Sequence, residues 1–149
     1  MAIERNSLMP PNIDFAEAVA NNFAQQPVMT LIGARLAHVE PGIVEIELPF
    51  RADLTQQDGF LHAGVITTVA DSAAGYAAFT LMPAGSRVLS IEFKVNLLRP
   101  ARGELFVARA EVIKFGRTLS VVRADVFATR KNSEKKLVAT MQGTMMCLR

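Results

Sequence analysis

The chain has no tryptophan, one tyrosine, one cysteine and two histidines among its 149 residues. A single thiol, Cys147, forbids an intrachain disulfide and removes any cysteine-based zinc framework. Two histidines are too few for a His-rich metal site, so no metal is expected. Neither sign of charge dominates: 16 Lys and Arg stand against 14 Asp and Glu, leaving +2 despite a pI near 9.0. No basic run is interleaved with aromatics, so nucleic acid is not an expected partner. An uninterrupted apolar run is missing too. The most apolar window, residues 60–82, carries Asp71 near its middle with Thr67, Thr68 and Ser72. A bilayer-spanning helix wants about 20 predominantly apolar residues, so this segment reads as a helix buried in protein, with no membrane insertion. The first residues hold Glu4, Pro10 and Pro11 where a secretory signal needs an apolar stretch. The expectation is a cytoplasmic globular domain.

What is present is core-forming material. The chain is 50% hydrophobic and 20% charged, with mean hydropathy +0.25. That is ample for one domain and more apolar than a small monomer needs, which points to buried contacts between subunits. Asn12 or Asp14 can cap a helix over 15–25, ended by Pro27. Two strands are predicted next, over 31–39 and 43–48, joined by a Pro41-Gly42 turn. In the second, Val44, Ile46 and Leu48 alternate with Glu45 and Glu47, the period of a half-buried strand. Residues 50–59 read as a loop. A helix over 63–80, apolar nearly all round and rich in Ala and Gly, suits enclosure by other structure; Pro83 and Gly85 end it. Four strands follow. Leu89, Ile91, Phe93, Val95 and Leu97 alternate with Ser90, Glu92, Lys94 and Asn96; Phe106, Ala108, Ala110 and Val112 share a face, as do Val122, Ala124, Val126 and Ala128, then Leu137, Ala139, Met141, Gly143, Met145 and Cys147. Consecutive strands with short turns favour an antiparallel sheet. The reading is α+β: a six-stranded antiparallel sheet wrapped around one long central helix, with a short N-terminal helix. Residues 1–27 form a helical extension and 28–149 one domain. Uncovered strand edges call for a second copy.

Two residues stand out chemically. Asp71 sits among Val69, Ala70, Ala73 and Ala74, and an unpaired buried carboxylate costs several kcal/mol. Such a group either bonds a backbone amide or an Arg, or works in an active site. His62 stands at the entrance of the long helix, before Ala63-Gly64, whose amides are expected to point outward as an oxyanion or carbonyl site. A His there also serves as a plain helix cap. Nine residues separate His62 from Asp71, about 900° of turn and roughly 13 Å of rise. The two lie on opposite sides of the helix, so if they cooperate they do so across a dimer interface. His38 reads as a surface residue, and Cys147 and the methionines as core filling.

The run Gln56-Gln57-Asp58-Gly59-Phe60-Leu61-His62-Ala63-Gly64, followed by Asp71, resembles the hotdog-fold thioesterases of the PaaI-like, 4-hydroxybenzoyl-CoA thioesterase superfamily. The likeness continues through Ser90-Ile91-Glu92-Phe93-Lys94-Val95-Asn96-Leu97-Leu98-Arg99-Pro100-Ala101 and the bend Gly116-Arg117-Thr118-Leu119, covering residues 28–148. It implies that Asp71 is the catalytic carboxylate, His62 the helix-entrance histidine, Gln56 the upstream amide, Ser90 the hydroxyl assisting the attacking water, and the Ala63 amide the donor to the thioester carbonyl. The family usually has Gly where this chain has Ala63. Gly64, Arg99, Gly116, Arg117 and Thr118 are the expected contacts to coenzyme A, with Arg87 and Lys114 as weaker candidates.

The implied activity is hydrolysis of an acyl- or aroyl-CoA to the acid and free coenzyme A, Asp71 acting as general base or as nucleophile. No cofactor beyond the substrate's own coenzyme A is expected. A homodimer is the minimum active unit, with a homotetramer expected. Two alternatives remain open: a non-catalytic acyl-CoA-binding protein of the same fold, and a dehydratase acting on a 3-hydroxyacyl thioester.

Overall fold

The computed structural model describes residues 8–149; the expectation for the N-terminal leader falls partly on residues outside that range. Helix α1 (Phe15–Ala24) and a short α2 (Pro27–Ile32) lead into β1 (Arg35–Glu40) and β2 (Ile43–Pro49). A single 3-10 turn (Ala52–Leu54) precedes the long α3 (Ala63–Phe79). Four strands complete the chain: β3 (Arg87–Leu97), β4 (Leu105–Lys114), β5 (Leu119–Thr129) and β6 (Lys136–Leu148). They form one antiparallel sheet in the order β1-β2-β4-β5-β6-β3, and α3 lies against five of the six strands, β2 to β6. This is the hotdog arrangement.

The core is the seam between that helix and the concave face. Val44, Ile46 and Leu48 of β2, Phe106, Ala108 and Ala110 of β4, and Val122, Ala124 and Val126 of β5 are all buried there. The small residues Ala70, Ala73, Ala74, Ala77 and Ala78 of α3 are no more than 1% exposed. Side chains that short let the helix lie close to the sheet, where dispersion contacts are densest. Not every methionine fills this core: Met9 is 89% exposed, while Met29, Met82, Met141 and Met145 are buried.

The strand expected from residue 31 begins only at Arg35, because Pro27 does not merely end α1. A proline's fixed φ and missing N–H suit the first helical turn, and Pro27 starts α2, which stops at Gly33 with φ 78°. The cap expected of Asp14 is not made by its side chain. Instead Asn12 Oδ1 accepts from the Asp14 N–H at 3.1 Å, a local side-chain-to-backbone turn ahead of the helix.

A second difference lies in β3. Strict alternation would put Ser90 on the same face as Glu92 and Lys94. In the structure Ser90 pairs with Met145 and Glu92 with Thr144, so Ile91 is an extra, bulged residue. On β6 Met145 and Met141 face the core. Their partners Ser90 and Val95 therefore share the helix side, whereas Glu92 bonds Thr144 on the outer face. A bulge re-aims a side chain in this way.

Candidate active site

Ser90 and Asp71 meet because of that bulge. Ser90 Oγ donates to Asp71 Oδ1 at 2.6 Å. Asp71 is half-buried rather than sealed in the core, and it lines a cleft of about 510 Å³ with Ser72, Gly75, Tyr76, Val88, Leu89 and Ser90. The expectation of an isolated, buried acid is thereby corrected. Its cost is avoided by an open side and a hydroxyl donor, which leaves the second carboxylate oxygen without a partner among the described residues.

The far wall of this cleft comes from the N-terminal helices: Asn22, Gln25, Gln26 and Pro27. Tyr76 anchors them, its hydroxyl 3.2 Å from both Asn22 Oδ1 and Gln26 Oε1, with the Phe23 ring tilted against its own at a centroid distance of 6.0 Å. Gln26 Nε2 donates to Ser72 Oγ at 3.2 Å. Burial pushes the Tyr76 phenol up to about 12. The sequence reading left Asn22 and Gln26 out of the site. The available signal was the cluster Asn21, Asn22, Gln25 and Gln26 closing an otherwise apolar helix.

Gln56, Ala63 and Arg99 line a different cleft, of about 380 Å³, with Phe60, Leu61, Ile66, Leu97 and Ala101. A tight turn fixes Gln56: its Oε1 accepts from the N–H groups of Asp58 (2.6 Å) and Phe60 (3.2 Å). With the oxygen held, the amide nitrogen is the group offered outward, touching Asp58 Oδ2 only at 3.4 Å.

His62 is the N-cap of α3, and its Nδ1 accepts from the Gly64 N–H at 2.8 Å. Of the two amides expected to face a carbonyl, Gly64 is therefore already spent. Among the described residues the Ala63 N–H has no acceptor and stays available. Gly64 has its own reason to lack a side chain, since a Cβ there would sit 3.0 Å from His62 Nδ1.

The expected coenzyme A contacts divide. Arg99 reaches the second cleft, but one of its guanidinium nitrogens donates to the Leu137 carbonyl at 2.8 Å. Gly116 is a structural necessity: a Cβ would lie 2.4 Å from the Leu119 carbonyl. Thr118 gives its carbonyl to the Cys147 N–H at 2.8 Å, and Arg117 is exposed beside it. The bend lines neither cleft and lies at the Leu89 end of the sheet, because Leu119 and Leu89 both register with Met146. His38 is exposed and bonds Glu40. Among the described residues, no three His, Cys, Asp or Glu side chains group as a metal site and no helix is long and apolar enough to cross a membrane.

Residues 58–134, just over half of the chain, match the family model described as the thioesterase superfamily. The chain belongs to the thioesterase superfamily. It is a thioester hydrolase on the hotdog fold. A thioesterase family protein of Silicibacter pomeroyi is similar in structure, with TM-score 0.88 and 53% identity over 90% of this chain and 98% of that one. A 1,4-dihydroxy-2-naphthoyl-CoA hydrolase of Listeria monocytogenes is 30% identical over 60% of this chain and 73% of its own length. A medium/long-chain acyl-CoA thioesterase of Escherichia coli is 30% identical over 58% of this chain and 61% of its own. Within this thioesterase, then, the family's candidate groups occupy two separate clefts.

Proposed function

We propose that this thioesterase hydrolyses acyl- or aroyl-CoA thioesters at a site completed by two copies of the chain. The observation that carries the reading is the position of the two clefts relative to β3. Ser90, hydrogen-bonded to Asp71, stands near the start of that strand; Leu97, beside Gln56 and Ala63, stands at its end. On its other side β3 has no neighbour in the sheet among the described residues, and Leu89, Ile91, Phe93 and Leu97 are between 42% and 54% exposed. An edge this long and apolar is a pairing surface. Two β3 strands laid antiparallel about a two-fold axis bring the start of one to the end of the other. Each of the two resulting sites then holds Asp71 and Ser90 from one protomer and Gln56 and Ala63 from its partner. A tetramer would be two such dimers.

In this arrangement the Ala63 N–H and the Gln56 amide donate to the thioester carbonyl. Donors aimed at a developing oxyanion are worth roughly 3 kcal/mol each. Ser90 Oγ holds one oxygen of Asp71, and the other takes a proton from water as it attacks the carbonyl carbon. The tetrahedral intermediate collapses with cleavage of the carbon–sulfur bond, and the thiolate of coenzyme A leaves and is protonated. Direct attack by Asp71, through an anhydride, is the second route that the same groups support. His62 is a positioning residue: its cap fixes the first turn of α3 and so aims Ala63. The names of the Listeria and Escherichia proteins support coenzyme A thioesters as the substrate class, and such substrates suit a cytoplasmic enzyme.

Co-expression of differently tagged Gln56→Ala and Asp71→Asn chains tests the reading. Each homodimer should be nearly inactive toward a panel of acyl-CoAs followed by thiol release. Purified heterodimers should regain up to half of the wild-type rate, since one of their two sites is intact. Heterodimers as inactive as the parents would overturn the shared site. A wild-type protein that releases no thiol from any acyl-CoA would overturn the substrate class.

A further inference from the structure

The convex face of the sheet carries a row of charges that is matched inland and unmatched at the β3 edge. Arg109 of β4 reaches Glu45 and Glu111 at 3.2 and 3.4 Å, and Arg123 of β5 reaches Glu111 and Asp125 at 3.0 and 3.6 Å. On β3, Glu92 and Lys94 share this face, opposite Thr144 and Gln142 of β6, and both are exposed. Thr144 Oγ1 donates to one carboxylate oxygen of Glu92. Neither Glu92 nor Lys94 forms an ion pair with a described residue, although both line one groove. Same-face neighbours on a single strand stand about 6.8 Å apart, too far to pair with each other. Residues directly opposed on two paired strands stand about 4.5–5.5 Å apart at Cα. The edge therefore offers one acid and one base to whatever strand is laid against it.

A two-fold axis perpendicular to a shared sheet limits how a second β3 can lie there. Directly opposed residues must occupy one face, so the axis passes a residue that meets its own copy. With Ile91 out of the ladder as the bulge, the centres near the middle of the strand are Glu92, Phe93 and Lys94. A centre at Glu92 sets carboxylate against carboxylate, and one at Lys94 sets ammonium against ammonium; both are unfavourable. A centre at Phe93 sets each Glu92 opposite the partner's Lys94, giving two ion pairs astride the axis. We infer that β3 pairs with β3 of a second copy about Phe93, and that Glu92 and Lys94 are the residues that select this register. Ser90 then lies opposite the partner's Val95, and Val88 opposite the partner's Leu97. The cleft lined by Asp71, Val88 and Ser90 thus abuts the one lined by Leu97 and Ala63. The smallest slip that keeps the faces is two residues, and it would carry one cleft about 6.8 Å past the other. Glu92 and Lys94 are positioning residues in this sense: charges on the convex side set how far the Ala63 N–H stands from the carboxylate. The inference rests on the shared-site reading above and adds the register.

Cysteine variants in a Cys147→Ala background read the register directly. Phe93→Cys should form an intersubunit disulfide on mild oxidation, since opposed Cα atoms lie within disulfide reach. Glu92→Cys and Lys94→Cys should each fail to cross-link alone, yet join one another when mixed. Charge reversals test the selection. Glu92→Lys and Lys94→Glu each set like charges together twice per dimer and should raise the dimer Kd about tenfold. The double reversal restores both pairs and should return the Kd, and the activity of dilute enzyme, to within about threefold of wild type. A mixture of the two single variants should hold about nine-tenths heterodimer rather than the half that random pairing gives, as a tenfold penalty on each homodimer requires. No cross-link at Phe93→Cys, self-cross-linking at position 92 or 94 instead, or single reversals that dimerise as tightly as wild type would overturn the register while the shared site stands. A wild-type protein that is monomeric and fully active would overturn both.

Discussion

Replacing Asp71 with Asn separates chemistry from folding, and the structure gives a magnitude for each. The side chain keeps its volume and its amide oxygen still accepts from Ser90 Oγ, now 2.6 Å from Asp71 Oδ1. A single side-chain hydrogen bond contributes about 0.5–1.5 kcal/mol net, and Asp71 is only half-buried. The folding change should therefore stay below about 1.5 kcal/mol, a shift in Tm under about 5 °C for a domain of this size. Catalysis should fare differently. An amide takes no proton from water and forms no anhydride, so both routes fail together. The expected loss in kcat is at least about a hundredfold, close to 2.7 kcal/mol at the barrier. The assay is release of coenzyme A measured with a thiol reagent on the preferred acyl-CoA, beside thermal unfolding and sedimentation of the same sample. Ser90→Ala, which removes the donor but leaves the carboxylate, should cost less, about tenfold. A folded, dimeric Asp71→Asn protein with more than about a tenth of wild-type kcat would refute the assignment of Asp71 as base or nucleophile.

Three further outcomes are expected. His62→Ala removes the cap on Gly64 and should cost about 1 kcal/mol of stability and some kcat, whereas His62→Asn, which can still cap, should recover both; failure of Asn to recover activity in a stable protein would give the imidazole a direct role in the reaction. Ala63→Gly keeps the free amide and should change kcat by less than about tenfold, while Ala63→Pro removes the N–H and should abolish most turnover; a folded and fully active Pro variant would move the carbonyl donor elsewhere. Burial raises Tyr76 from 10.0 to about 12, so the unfolded chain loses that proton first as the pH rises. Its contribution to stability is complete below about pH 10 and is lost between about pH 10 and 12. Tyr76→Phe should flatten this alkaline fall in Tm, and an unchanged profile would show that another group causes it.

The sheet strands were legible because their alternation is a direct consequence of having one wet and one dry face. Val44, Ile46 and Leu48, or Phe106, Ala108 and Ala110, are buried as that pattern predicts. Helix α3 was legible from its flanks, with His62 before it and Pro83 after. The site residues Gln56, Ala63, Asp71 and Ser90 were readable as a set only through resemblance, since nothing local ties positions so far apart in sequence. What escaped was set by geometry between elements. Pro27 opens a helix because the chain must turn before β1, and Gly33 then ends that helix in the left-handed region. The Gly64 amide was expected to be free, but whether an imidazole folds back on its own helix depends on a rotamer that sequence does not display. Likewise, Asn22 and Gln26 wall the Asp71 cleft because α1 docks on Tyr76, a contact that joins residues about fifty positions apart.

The bulge at Ile91 changes the parity of its strand. Up to that point even-numbered residues, Val88 and Ser90, face the helix; past it odd-numbered ones do, Val95 among them. One surplus backbone unit thus lets a single strand meet two demands of opposite phase. It aims a hydroxyl at Asp71 near one end and an apolar row toward the core near the other. Were the bulge flattened with Ile91 kept in the ladder, Ser90 and the apolar row could no longer face the helix together, and one of the two would turn to the convex side. Removal of Ile91 is the milder change, since Ser90 opposite Met145 and Glu92 opposite Thr144 then follow one another in plain alternation with Ser90 still toward the helix. What Ile91 adds is therefore a local kink and twist at the hydroxyl, and its deletion should alter the aim of Ser90 at Asp71 without reversing the face it occupies.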